Sequence, residues 1–206
     1  MIYLSGAVHA SFARQPDTGW MFTPNMGNRP DLSGTLWAAD TGCFTKPDEF
    51  NATKYLGWLA ARRKDRARCL FATAPDRVGD AIGTLEVSAP ILPQIRDLGF
   101  RAALVAQDGL ESMDIPWGSF DCLFIGGSTS WKLSEAAFRL ALDAESHGKW
   151  VHMGRVNSWK RLKACAVGGF DSADGTFVAF GPDINAPKVH GWIETLRRSP
   201  AMDVER

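Results

Sequence analysis

Polar or glycine-rich groups punctuate the chain at the ends of short apolar runs: Asp40, Asp76, Gln107, Gly126-Gly127, Arg155 and Asp174. Carboxylates and an amide with no metal motif around them are the residue types of acid/base or nucleophilic chemistry on a neutral polar ligand. A carboxyl group close to other carboxylates has its pKa pushed up and can act as a general acid. Each residue alone also fits a cap or turn, and Asp174, in Ala-Asp-Gly-Thr, fits an Asx turn. Their recurrence at the same end of successive runs sets them apart, because in a parallel barrel those ends converge on one pocket.

The elements that must position these groups follow from hydrophobic pattern. The stretch 150–176 reads as a strand over 150–153, a helix with Trp159, Leu162 and Ala166 on one face, and a second strand stopping at Asp171 and Asp174. Such a unit is a parallel crossover, with ligands bound just past the strands' carboxyl ends. Further strands are expected over 2–8, 36–39, 69–74, 102–106, 121–125 and 177–180. Helices are expected over 50–66, 90–98, 134–147 and 187–198. The Gly-, Pro- and Asn-rich stretch 9–34 reads as a long ordered loop or a lid. About eight strands, most of them separated by helices, predict an α/β fold, a compact (β/α)8 TIM-like barrel. At 206 residues it lies near the lower limit for that fold, so some connecting helices are missing. One domain over 1–198 and a frayed tail over 199–206 complete the expected organisation.

Composition narrows the function classes. The 23 basic and 23 acidic residues cancel, so no global field recruits a polyanion and any such site is local. Candidate phosphate contacts are Arg62 and Arg63, in a basic run that equally suits a helix C-terminus, together with Lys132, Arg155 and Lys160. Cys43, Cys69, Cys122 and Cys165 are widely spaced, with no C-x-x-C, which gives neither a zinc site nor a disulfide framework and suits a reducing cytoplasm. No cofactor or metal is implied. The first residues lack the basic and apolar regions of a signal peptide or membrane span. Asp40-Thr41-Gly42 matches the D-T-G of aspartic proteases, but the helical periodicities oppose that fold. Gly126-Gly127-Ser128-Thr129 could form a phosphate-binding loop.

Taken in order, these residues resemble the tRNA-guanine transglycosylases, and more closely the short phage and bacterial 7-deazaguanine DNA transglycosylases. Asp40-Thr41-Gly42-Cys43-Phe44 resembles the family's D-S-G-G-F, which implies that Asp40 is a general acid/base and that Phe44 stacks on the base. Asp76 resembles the aspartate that pairs with the guanine edge, in competition with Asp80, and Gln107 the glutamine that contacts the base carbonyl. Gly126-Gly127 resembles the G-G-L whose backbone lines the pocket, and Met153-Gly154 the segment covering the other face of the base. The segment 169–174 resembles G-x-D-x-x-D, which makes Asp174 the nucleophile. Ser128 stands in place of a leucine, Lys132 near a usual glutamate and Cys43 in place of a glycine. The family's zinc signature and the extension that carries it are absent from the sequence, which turns the expectation from tRNA toward DNA.

The resemblance implies replacement of guanine by a free 7-deazaguanine base such as preQ0, through a covalent aspartyl–C1′ intermediate, with a possible homodimer or partner subunit. The residues leave three alternatives open: a base-excising glycosylase using water, a non-catalytic nucleic-acid-binding partner, and a phosphate-binding barrel enzyme for a small metabolite. Retention of both Asp40 and Asp174 argues against the non-catalytic partner.

Overall fold

A computed structural model describes residues 1–26, 31–42 and 50–198. Eight parallel strands close a barrel in sequence order: β1 (Ile2–Ser5), β2 (Thr18–Phe22), β3 (Leu36–Ala39), β4 (Cys69–Thr73), β5 (Ala102–Ala106), β6 (Cys122–Ile125), β7 (Trp150–Met153) and β8 (Ser172–Gly175). The barrel shuts where β8 pairs with β1, with Leu4 opposite Asp174. Among the described residues the helices are α1 (Ala52–Ala60), α2 (Ala81–Ser88), α3 (Leu92–Asp97), α4 (Thr129–Lys132), α5 (Glu135–Ser146), α6 (Trp159–Val167) and α7 (Pro182–Arg198). As expected for so short a chain, some connections lack an α-helix: β1 to β2 and β5 to β6 are bridged by 3-10 turns.

Because successive strand residues point to opposite faces, each strand feeds two cores. Leu4, Met21, Ala38, Phe71, Ala103, Val105, Cys122 and Phe124 pack together inside the barrel. Tyr3, Trp20, Phe22, Trp37, Leu104, Leu123, Ile125, Val151 and Met153 pack outward against the helices. Several tryptophans are spent in this outer layer: buried Trp37 donates its indole N–H to the Asp65 carbonyl at 3.1 Å and meets Trp58 and Phe100 edge-on.

Two strand expectations are corrected. The stretch 9–34 is not one long loop, because it contains β2, all five residues of which are buried. Burial on both faces removes the alternation that marks a half-exposed strand. Gly19 looks like a loop residue, yet a Cβ there would collide with the Leu36 carbonyl of the neighbouring strand. Residues 177–180 form a 3-10 turn rather than a strand, and Phe180 is left exposed. The boundaries of 50–66 shift as well: α1 stops at Ala60 and a separate 3-10 turn, Arg63–Arg68, leads into β4. The proposed tail over 199–206 lies outside the described residues.

Candidate active site

The same alternation selects which polar groups enter the barrel mouth. Asp40 follows Leu36 and Ala38 on the inward side of β3, Gln107 follows Ala103 and Val105 on β5, and Gly126 follows Cys122 and Phe124 on β6. Asp174 shares the inward side of β8 with Ser172. It lies within that strand rather than beyond it. Residues far apart in sequence thus meet above one interior core, at the strands' carboxyl ends.

The carboxylates there sense one another. Burial, and after it the negative charge of Asp174, pushes the Asp40 carboxyl up to about 6, although the Gly42 N–H donated to its Oδ1 at 2.6 Å opposes the shift. Burial, with the charge of Asp40 added, pushes Asp76 up to about 7 against the attraction of Arg155. Gln107 is buried and fixed from both ends of its amide. Its Nε2 donates to Asp76 Oδ2 at 2.7 Å, while its Oε1 accepts from Gly79 N at 2.9 Å and Gly127 N at 3.1 Å. Asp80, the competitor of Asp76 in the sequence, caps α2 and accepts from Gly83 N at 2.9 Å.

The Gly126-Gly127 loop is tied down by Asp108, which the sequence did not single out, and by Arg155, which it did. Asp108 accepts from Ser128 N at 2.7 Å and Ser128 Oγ at 2.6 Å. Desolvation opposes its charge, but these bonds and Arg155 together lower its pKa. The Arg155 guanidinium donates to the Gly127 carbonyl, and its own backbone sits at a φ of 58°, a strained position for a side-chain-bearing residue. A Cβ at Gly126 would lie 2.8 Å from Val105 Cγ1 and 3.1 Å from Gln107 Nε2. Gly126→Ala is therefore expected to push the Gln107 amide off Asp76 and to destabilise the fold by about 1–3 kcal/mol. Urea unfolding read beside the NMR shift of the Gln107 side-chain amide checks both effects.

Asp174 has the most elaborate setting. His152 Nε2 lies 3.0 Å from its Oδ1, and the Arg155 backbone N–H points to the same oxygen at 3.4 Å. Among the described residues its Oδ2 has no hydrogen bond. Tyr3, across the β1–β8 seam, donates its hydroxyl to the Val156 carbonyl at 3.2 Å, and burial together with the Asp174 charge raises its pKa.

Several expected site residues fall elsewhere. Met153 is fully buried in the outer layer, on the opposite face of β7 from His152, so it does not cover the pocket. Lys132 is not a surface phosphate contact: it is buried, with Nζ donating to the Gly154 carbonyl at 2.5 Å. Burial and then the repulsion of Arg155 lower its pKa to about 8. Arg62 lies over Trp58, 4.1 Å from the ring centroid, and Arg63 opens the turn that leads into the start of β4. Arg63 thus belongs to the far end of α1 and the opposite mouth of the barrel, whereas the Arg62 guanidinium folds back along α1 to lie 5.2 Å from the ring centroid of Phe22, the last residue of β2. Lys160 is exposed in the first turn of α6, at the mouth that carries the carboxylates. Phe44 and Cys43 lie outside the described residues. His152 and Ser172 are the site residues that strand-end reasoning missed; the signal was present, since His152 has the inward parity of Trp150 and pairs with Ser172 in register.

Among the described residues no helix is long and apolar enough to cross a membrane. No protein-family model and no curated protein matches the chain. Among solved structures it is similar to a protein from Silicibacter pomeroyi DSS-3 described as a glycerophosphoryl diester phosphodiesterase, with 12% identity and a TM-score of 0.48 over 79% of this chain and 52% of that one. The chain spans about half the length of that protein.

Proposed function

We propose that the chain is a transglycosylase that replaces guanine in nucleic acid, DNA in the first instance, by a free 7-deazaguanine base such as preQ0. The observation that carries this is the division of labour between two inward carboxylates at one mouth. Asp40 is pushed up to about 6, so it can hold a proton near neutrality, while Asp174 is anchored through Oδ1 with Oδ2 left open.

Cleaving a glycosidic bond passes through an oxocarbenium-like state, and a carboxylate nucleophile divides that step in two. Asp174 Oδ2 attacks C1′, the bond from C1′ to the base nitrogen breaks with its electron pair going to the base, and Asp40 supplies the proton that neutralises the departing guanine. In reverse, Asp40 takes the N–H proton of the incoming base as its nitrogen attacks C1′, and the Asp174 carboxylate leaves. Asp76 and Gln107 present an acceptor and a donor to the purine edge, already aligned by their mutual bond. The target nucleotide must leave the helical stack to reach them. The N-termini of α1 and α6 at this mouth, capped by the neutral side chains of Asn51 and Ser158, favour phosphate there, and Lys160 adds a cation.

DNA and tRNA carrying labelled guanine, each incubated with the protein in the presence and absence of preQ0, test this directly. Label release from DNA only when preQ0 is added is the expected result. Release without added base would replace exchange by hydrolytic excision, and no release from either polymer would overturn the proposal.

A further inference from the structure

Behind the bond that anchors Asp174 Oδ1 runs a buried hydrogen-bonded chain. The indole N–H of Trp150 donates to Ser172 Oγ at 2.8 Å, Ser172 Oγ lies 2.8 Å from His152 Nδ1, and His152 Nε2 lies 3.0 Å from Asp174 Oδ1. Its direction is fixed by its ends. An indole nitrogen only donates, and a carboxylate only accepts. The carboxylate end requires the hydrogen on Nε2; in a neutral ring Nδ1 is then bare and accepts the Ser172 hydroxyl hydrogen, while Ser172 Oγ accepts from Trp150. The surroundings agree: His152 is fully buried between Phe71, at 4.9 Å, and Phe124, at 4.5 Å, and burial lowers its pKa, although Asp174 acts against that shift. A neutral ring in this tautomer is the one form that satisfies every atom of the chain.

We infer that His152 is a positioning residue for Asp174, locked by Ser172 and Trp150 in the tautomer that pins Oδ1 and leaves Oδ2 as the attacking oxygen. This rests on the base-exchange reading and adds to it a means of orienting the nucleophile from below. Oδ1 is the oxygen that becomes the ester carbonyl once Oδ2 has bonded to C1′. A donor at Oδ1 stabilises the carboxylate more than the ester, since the charge is larger there. The bond thus favours the second half of the reaction, in which Asp174 must leave. Loss of this donor is expected to slow turnover more than it weakens binding.

His152→Gln and His152→Asn separate positioning from packing, because the Gln amide nitrogen reaches the place of Nε2, whereas that of Asn reaches only the place of Nδ1. Thermal unfolding first establishes that both variants fold. The Gln variant is expected to keep kcat within about fivefold, and the Asn variant to lose about 10–100-fold in kcat with KM for either substrate unchanged. Imidazole 15N NMR of the wild-type protein reads the tautomer without reference to activity. Protonated Nε2 and bare Nδ1 at neutral pH is the expected spectrum, and Ser172→Ala is expected to release the ring into a tautomer mixture. An imidazolium, or a ring protonated on Nδ1 alone, overturns the inference whatever the activity. So does an Asn variant that turns over at the wild-type rate. Correct tautomers in a wild-type protein that exchanges no base would instead locate the failure in the base-exchange proposal, taking the role of His152 with it.

Discussion

Asp174→Asn is expected to give a folded protein that still binds nucleic acid and exchanges no base. Asparagine is the informative replacement because its Oδ1 can go on accepting from His152 Nε2 and the Arg155 N–H, bonds of 3.0 and 3.4 Å in the wild-type protein. Alanine would leave the His152 N–H buried without an acceptor, a loss of about 1–3 kcal/mol that would mix stability with chemistry. What asparagine removes is the nucleophilic oxygen itself. An amide at that place cannot form the glycosyl ester, so kcat is expected to fall by at least about 10³-fold, with Kd for DNA within about tenfold. Denaturing electrophoresis after mixing with labelled DNA supplies the second readout: a covalent adduct in the wild-type protein and none in the variant. Release of labelled guanine at the wild-type rate would remove Asp174 from the mechanism.

That the place of Asp174 near the barrel mouth was legible, and that of His152 was not, follows from what each kind of signal carries. Polar residues at the ends of apolar runs stand out because the run makes them conspicuous. Asp40, Gln107 and Gly126 all emerged that way and all share inward parity. His152 lies inside its run, where composition alone reads it as one more core position. Only the period of two, carried across the β7–β8 pair, places it opposite Ser172 and on the side of Asp174. Met153 shows the converse error: a motif drew it into the pocket, while the alternation turns it outward.

The fold was legible to the same degree and for the same reason. Helix α2 went unread because its buried face is made of Ala81, Gly83, Thr84 and Ser88, with Ile82 exposed, so there is no apolar stripe to detect. Strand β2 was hidden by complete burial, and the apolar run at 177–180 took its place in the count. Eight was therefore the right number of strands with one wrong member. Lys132 illustrates a limit of charge counting, since its ammonium is used to hold the Gly154 carbonyl inside the protein.

Asp40→Asn is expected to do two opposite things, and the pH at which each appears tests the electrostatics of the site. In the folded protein the Asp40 carboxyl titrates at about 6, chiefly through burial, against about 3.9 for an unfolded aspartate. Between these values the folded state holds a proton that the unfolded state has lost. Stability therefore falls as pH rises through that window, and the full cost of the buried charge is present above it. A shift of about two units corresponds to about 3 kcal/mol. Asparagine cannot ionise, and it keeps an oxygen for the Gly42 N–H. The variant is thus expected to be more stable than the wild-type protein by about 2–3 kcal/mol at pH 8, a rise in Tm of about 5–10 °C, and equal to it near pH 4. Its exchange rate falls by about 10²–10⁴-fold, because no group remains to protonate the leaving guanine. Asp76 responds too: the Asp40 charge helps to hold it near 7, so its pKa drops in the variant and its carboxylate is available to the purine edge at lower pH. Thermal melts at the two pH values decide the matter. A variant less stable than wild type at pH 8, or one with the same gain at pH 4, would mean that Asp40 is not held against its charge by the site, and its assignment as the acid of the first step would lose its physical basis.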